Sequence, residues 1–103
     1  MGVSLHWTKE TREDLLDIYV VIGLDNAQAA ERVYDRLERR AEILRNQPGL
    51  GPRRSDIRPS MRMLVENPYL ILYETTPDAD DGPIARVEIV RVVDGRRDLA
   101  GLF

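Results

Sequence analysis

Residues 61–74 read MRMLVENPYLILYE, and in this stretch the spacing of the apolar residues changes. Upstream they recur every three or four positions; from here on they recur every second position or run together. A spacing near 3.6 is that of a helix and a spacing of two that of a strand. The stretch therefore marks where a helical half gives way to a sheet. MRMLVE (61–66) predicts one strand, NP (67–68) a turn, and YLILYE (69–74) a second strand. The second strand is apolar on both faces, as suits a strand at the centre of a sheet.

Beyond it, TPDADDGP (76–83) reads as a loop of turn formers and acid, IARVEIVRVV (84–93) as a third strand, and DG (94–95) as a turn into RRDLAGLF (96–103). Upstream, QPGLGP (47–52) stops a helix, because two prolines and two glycines cannot extend it. That helix spans 27–46, with Ala30, Val33, Leu37, Ala41 and Leu44 on one stripe and Asn26 as its cap. A preceding helix, KETREDLLDIYVVIGL (9–24), follows Thr8 as cap and places Leu15, Ile18, Tyr19 and Ile22 at helical spacing. The short connection makes the pair an antiparallel hairpin. Residues 3–8 alternate apolar and polar and predict a first strand. The expected fold is α+β: an N-terminal strand, a helical hairpin, then a three-to-four-stranded antiparallel sheet with the hairpin on one face. No repeat or linker divides residues 1–103, so one domain is expected.

The chain has 103 residues, a hydrophobic fraction of 43% and a net charge of −3. These values suit one modest core and argue against a general nucleic-acid coat. No apolar run is long enough for a membrane helix, and the first ten residues lack the pattern of a secretory signal, so a cytoplasmic location is expected. Without cysteine there is no disulfide framework or thiolate nucleophile. The only histidine, His6, lies on the exposed phase of the first strand with no identifiable catalytic partner. Asp78, Asp80 and Asp81 lack the ligand pattern of a calcium loop and read as a solvated turn. No cofactor and no metal are expected. Tyr69 and Tyr73 share one strand face, where they stack on a partner or pack beneath the helices.

The arginines are unevenly placed. Fourteen of the fifteen basic residues are arginine, and four fall between Arg53 and Arg62. A GC-rich coding bias explains the count but not the cluster. Arg53, Arg54, Arg58 and Arg62 precede or open one strand, Arg86 and Arg91 lie on the last long strand, and Arg96 and Arg97 follow its turn. Neighbouring antiparallel strands bring these eight toward one surface. About half are expected to pair with Asp56, Glu66, Glu88 or Asp98, leaving a positive patch if the remaining acids collect on the helices and in the 78–81 loop.

Taken together, DLLDIYVVIGLDNAQAAERVYDRLERRAEILRNQPGLG (14–51), RPSMRMLVENPYLILYE (58–74) and IVRVVDGRRDLAGLF (89–103) resemble the ParE branch of the RelE/ParE toxin superfamily. The resemblance covers nearly the whole chain. Its most specific parts are PGLG (48–51), the R-x-x-x-R of Arg58 and Arg62 ahead of NPYLILY, and GRRDL (95–99). It implies the toxin of a type II toxin–antitoxin module, inhibiting DNA gyrase by binding and neutralised by a cognate antitoxin. No sequence-specific nucleic-acid binding of its own is implied. The residues implied for target or antitoxin contact are Arg58, Arg62, Arg91, Arg96 and Arg97, with Asp98 orienting one of them. Relatives often carry histidine where this chain has Asp94.

The alternative within the same superfamily is a ribosome-dependent mRNA endonuclease. Such cleavage needs groups that give and take protons as well as cations. If 95–103 matches the nuclease tail, Phe103 falls where a tyrosine would act, and a phenyl ring carries no proton. Arginine stays protonated near neutral pH. The residues therefore favour a binding protein without chemistry of its own. A toxin-like remnant that serves only as antitoxin partner and co-repressor is a third reading.

Overall fold

Two side chains set the helical hairpin. The computed structural model describes residues 2–97 and 99–103. In it, Thr8 accepts a hydrogen bond from the Thr11 amide (3.1 Å) and caps α1, Lys9–Asp25. Asn26 then does two things at once. Its amide closes α1 on the Ile22 carbonyl (2.9 Å), and its side chain accepts from the Ala29 amide (3.0 Å) to open α2, Ala27–Glu42. A single residue thus reverses the chain, which forces the helices antiparallel. A 3-10 turn, Ile43–Arg45, finishes α2 before the Pro/Gly segment.

The strands are β1 (Ser4–Trp7), β2 (Arg62–Glu66), β3 (Tyr69–Thr76) and β4 (Arg86–Asp94), in the order β1-β4-β3-β2. β2, β3 and β4 form the expected antiparallel meander, with β3 inside it. The sheet is mixed, however: β1 joins the free side of β4 in parallel register, Ser4 opposite Arg86 and Trp7 opposite Ile89. The meander fixes the direction of β4, and the helical hairpin occupies the crossover that a parallel pairing needs.

Leu15, Leu37, Ala41 and Leu44 from the helical side meet Leu64, Ile71, Tyr73, Val87, Ile89 and Val92 from the sheet. The opposite face is also covered: Met61, Leu72 and Val93 form a second cluster beneath Ile57, Leu99 and Leu102. β3 feeds both clusters, which is why its sequence is apolar throughout. Between Leu72 and Tyr73 the pairing skips Val90 on β4. This bulge reverses the alternation of β4 and allows Val87, Ile89 and Val92 all to reach the helix side. No described helix is long and apolar enough to cross a membrane.

β1 ends at Trp7, so the edge of β4 away from β3 has no strand beside its upper half. The start of α1 covers that edge instead. Thr11 Oγ1 donates to the Ile89 carbonyl (2.8 Å), Thr8 Oγ1 to the Val90 carbonyl (3.1 Å), and the Val92 amide donates to Asp14 (3.0 Å). Three side chains at three-residue spacing on one helix face replace a missing strand.

Candidate functional site

The segment 52–61 lies against the sheet face remote from the helices, and its charges are folded in with it. Arg62 opens β2 with a side chain only 6% exposed. Its guanidinium donates to the carbonyls of Gly51 (2.9 Å) and Ala79 (3.3 Å) and meets Asp80 at 3.1 Å. Arg53 meets Asp78 and Asp80, each at 2.7 Å. The hydrogen bond from Arg53 holds the Asp80 carboxyl below the usual carboxylate range. The 78–81 loop is therefore more than a solvated turn. It folds back as the counter-charge of the arginine segment, where the sequence reading placed these acids apart from the patch. Arg54 pairs with Asp56 at 2.7 Å.

Arg58 meets Glu74 of β3 at 2.8 Å, and the Phe103 ring lies 4.9 Å from its guanidinium carbon. Ser60 also hydrogen-bonds Glu74. On β4, Arg86 pairs with Glu88 at 2.9 Å. Arg91 reaches over the open edge to Asp14, at 2.7 and 2.8 Å. At the exit of β4, Arg96 chelates Asp94, which also accepts from the Arg96 amide (2.9 Å). These bonds, the side-chain one foremost, lower the Asp94 carboxyl to about 2. Arg97 is exposed and lines a groove with Asp17, Ile18, Tyr69, Val92 and Asp94. Asp98 lies outside the described residues.

Among the described residues, seven of the eight clustered arginines thus have a carboxylate partner, where about half were expected. Asp56 and Glu88 serve as anticipated, while Glu66 is taken by Arg36 of α2. The positive field expected of the patch is largely neutralised from within. What separates the arginines is exposure. An exposed ion pair is worth roughly 0–1 kcal/mol, so the contact of Arg96, with a side chain 83% exposed, to Asp94 adds little to the fold. Arg62 and Arg91 are held in the fold by buried or part-buried bonds, and releasing them strands their partners. The groups that remain open to another molecule are Arg58, Arg86, Arg96 and Arg97.

Two features were not foreseen. Asp14 of α1, distant in sequence from the arginine clusters, is the partner of Arg91. His6 was set aside, yet β1 brings it into the sheet in register with Glu88, which lies opposite Glu74. The three form a row across β1, β4 and β3, beside Arg58 and Arg86. The alternation of each strand indicated its face, but only the register reveals the row. Among the described residues, no cluster of three or more His, Asp or Glu side chains is placed to hold a metal. Tyr69 and Tyr73 pack against the helix-side core rather than standing free.

No curated protein matches the sequence. Among solved structures, a chain of the chromosomal ParDE toxin–antitoxin system from P. aeruginosa is similar in fold. It superposes with a TM-score of 0.71 at 22% identity, over 89% of this chain and 95% of that one. Residues 5–99 match the family described as the ParE toxin of the type II toxin–antitoxin system parDE. That match runs from Leu5 within β1 through both helices, β2, β3 and β4 and the Arg96–Arg97 turn, and on it the chain belongs to the ParE toxin family.

Proposed function

We propose that the protein inhibits DNA gyrase by binding it and that a cognate antitoxin holds it inactive in the cytoplasm. The observation that carries this reading is the kind of cation left outward. Arg58, Arg96 and Arg97 present fixed forks suited to carboxylate and phosphate, and a guanidinium is a poor general acid or base. Arg96 and Arg97 stand beside the groove between α1 and the end of β4, where an apolar floor and a polar rim suit a protein partner. Arg91 and Asp14 hold that surface in shape, while Arg62 braces the other end of the sheet through Gly51 and the 78–81 loop. The antitoxin role follows from membership of the family, and the same groove suits a segment that folds as it binds.

One observation favours a second reading. The His6–Glu88–Glu74 row brings an imidazole and two carboxylates close to arginines able to hold a phosphate. That is the minimum for a ribosome-dependent endonuclease. Purified gyrase and programmed ribosomes, tested side by side, separate the two. Loss of supercoiling with accumulation of linear DNA is the expected outcome. Codon-positioned cuts in message, abolished by His6→Ala, would replace the gyrase reading by the nuclease one. No effect in either assay, and no growth arrest on induction, would leave a partner protein without toxicity.

A further inference from the structure

Helix α1 carries more apolar surface than the core uses. Between Leu15 and Leu24 only Asp17 and Gly23 interrupt a hydrophobic run. Leu15 and Ile18 face inward. Leu16, Val20 and Leu24 face outward, exposed to 61%, 49% and 82%. Their i, i+4, i+8 spacing makes one straight ridge about 12 Å long. Tyr19 and Tyr34, edge to face at 6.2 Å, bank the ridge on the α2 side. Together with Arg12 and Leu16 they line a shallow hollow between the helices. A helix that is apolar around most of its circumference is normally covered.

The charges around the ridge differ from those on the sheet. Glu13 and Asp17 lie three residues before Leu16 and Val20, on the ridge's own face. Glu31 and Glu38 flank Tyr34 on α2, at three and four residues. Among the described residues none of these four carboxylates is in an ion pair. α1 itself has only Lys9 and Arg12 as cations. Eight of the fourteen arginines belong to the sheet and its loops, and beyond Lys9 and Arg12 at the start of α1 the apolar stripe is framed by these four carboxylates.

We infer that this face docks an amphipathic helix of another chain, with an apolar stripe flanked by lysine or arginine. A straight ridge with helical spacing fits a helix laid along it, and the acidic frame selects basic flanks. A second copy of the chain fits worse. A two-fold contact through the ridge brings Glu13 and Asp17 of both copies into one interface, where like charges repel. An anionic membrane surface is repelled by the same frame. The inference stands on the helical hairpin alone and needs neither gyrase nor the nuclease row.

The test uses the full chain and two designed helical peptides of about 18 residues with leucines at i, i+3, i+4 and i+7. One peptide is flanked by lysines and the other by glutamates. In fluorescence anisotropy the lysine peptide binds at least about tenfold more tightly than the glutamate peptide, and its affinity falls with added salt. Leu16→Gln with Leu24→Gln, both exposed and therefore harmless to the fold, lowers binding of the lysine peptide by at least about tenfold. Val65→Gln, on the exposed edge of β2, leaves it unchanged. Equal binding of both peptides, or undiminished binding by the ridge variant, overturns the inference. So does sedimentation showing that the free chain is a dimer which the ridge variant dissociates.

Discussion

The Asp14 carboxylate receives both arms of the Arg91 guanidinium, at 2.7 and 2.8 Å, and one of its oxygens also accepts the Val92 amide at 3.0 Å. One side chain thus neutralises a cation of β4 and satisfies the backbone of the same strand. Both side chains are shielded, at 12% and 21% exposure. Asp14→Ala removes three hydrogen bonds and leaves a partly buried cation and an amide without partners. The expected loss is about 2–4 kcal/mol, read as a lower urea midpoint. Arg91→Ala costs less, since Asp14 keeps the Val92 amide. The double variant loses less than the sum of the two, because the residues share one contact.

Tyr73 holds the segment after α2 onto the sheet. Its hydroxyl accepts from the Gly51 amide (2.8 Å) and donates to the Pro48 carbonyl (3.0 Å), and the residue is fully buried. Tyr73→Phe leaves both backbone groups unpaired, at a cost of about 1–3 kcal/mol. Gly51→Ala is expected to be worse: its Cβ would stand 2.6 Å from the Met63 carbonyl oxygen and 2.8 Å from the Tyr73 ring. Thermal melts of the two variants rank them in that order.

The Asp94 carboxyl titrates at about 2 in the folded chain, against roughly 3.9 for an unperturbed aspartate. A depressed folded value means that the Arg96–Asp94 pair favours the fold at and above the unfolded value. That contribution fades as the pH falls below about 4 and is gone once it passes about 2. Carboxyl carbon shifts followed by NMR locate the midpoint. In Arg96→Ala the midpoint rises toward the ordinary aspartate value.

The exposed and the buried arginines are expected to fail differently. Arg96→Ala with Arg97→Ala abolishes growth arrest and gyrase inhibition while circular dichroism and melting stay near those of the parent. Arg62→Ala also abolishes activity, but through the fold. Its guanidinium serves Gly51, Ala79 and Asp80, so the melting temperature drops by several degrees. Full activity in the Arg96/Arg97 variant would remove those two residues from the contact surface.

Much of the architecture is written in local pattern. Thr8 and Asn26 cap the helices that the sequence assigns to them, and Ala30, Leu37, Ala41 and Leu44 are buried as their spacing requires. The two-faced apolar run of β3 correctly places it inside the sheet. What was not legible depends on contacts between distant segments. The parallel seat of β1 against β4 is set by which edge the meander leaves open, and no residue in SLHW announces it. The fate of the arginines was hidden for the same reason. Asp14 precedes Arg91 by 77 residues, and the acids of the 78–81 loop reach Arg53 and Arg62 only because β3 and β4 return that loop to the start of β2. The pairs two residues apart, Arg54–Asp56, Arg86–Glu88 and Arg96–Asp94, are the ones within reach of local sequence.

The seat of β1 has a consequence for how the protein comes into being. Thr8 meets Val90, 82 positions further along the chain. During translation the first strand has no sheet edge to join until β4 has emerged, so it waits with the helical hairpin while the intervening strands are made. Long-range pairing of this sort closes late. A nascent chain therefore goes without a finished sheet until its last strand is free to pair.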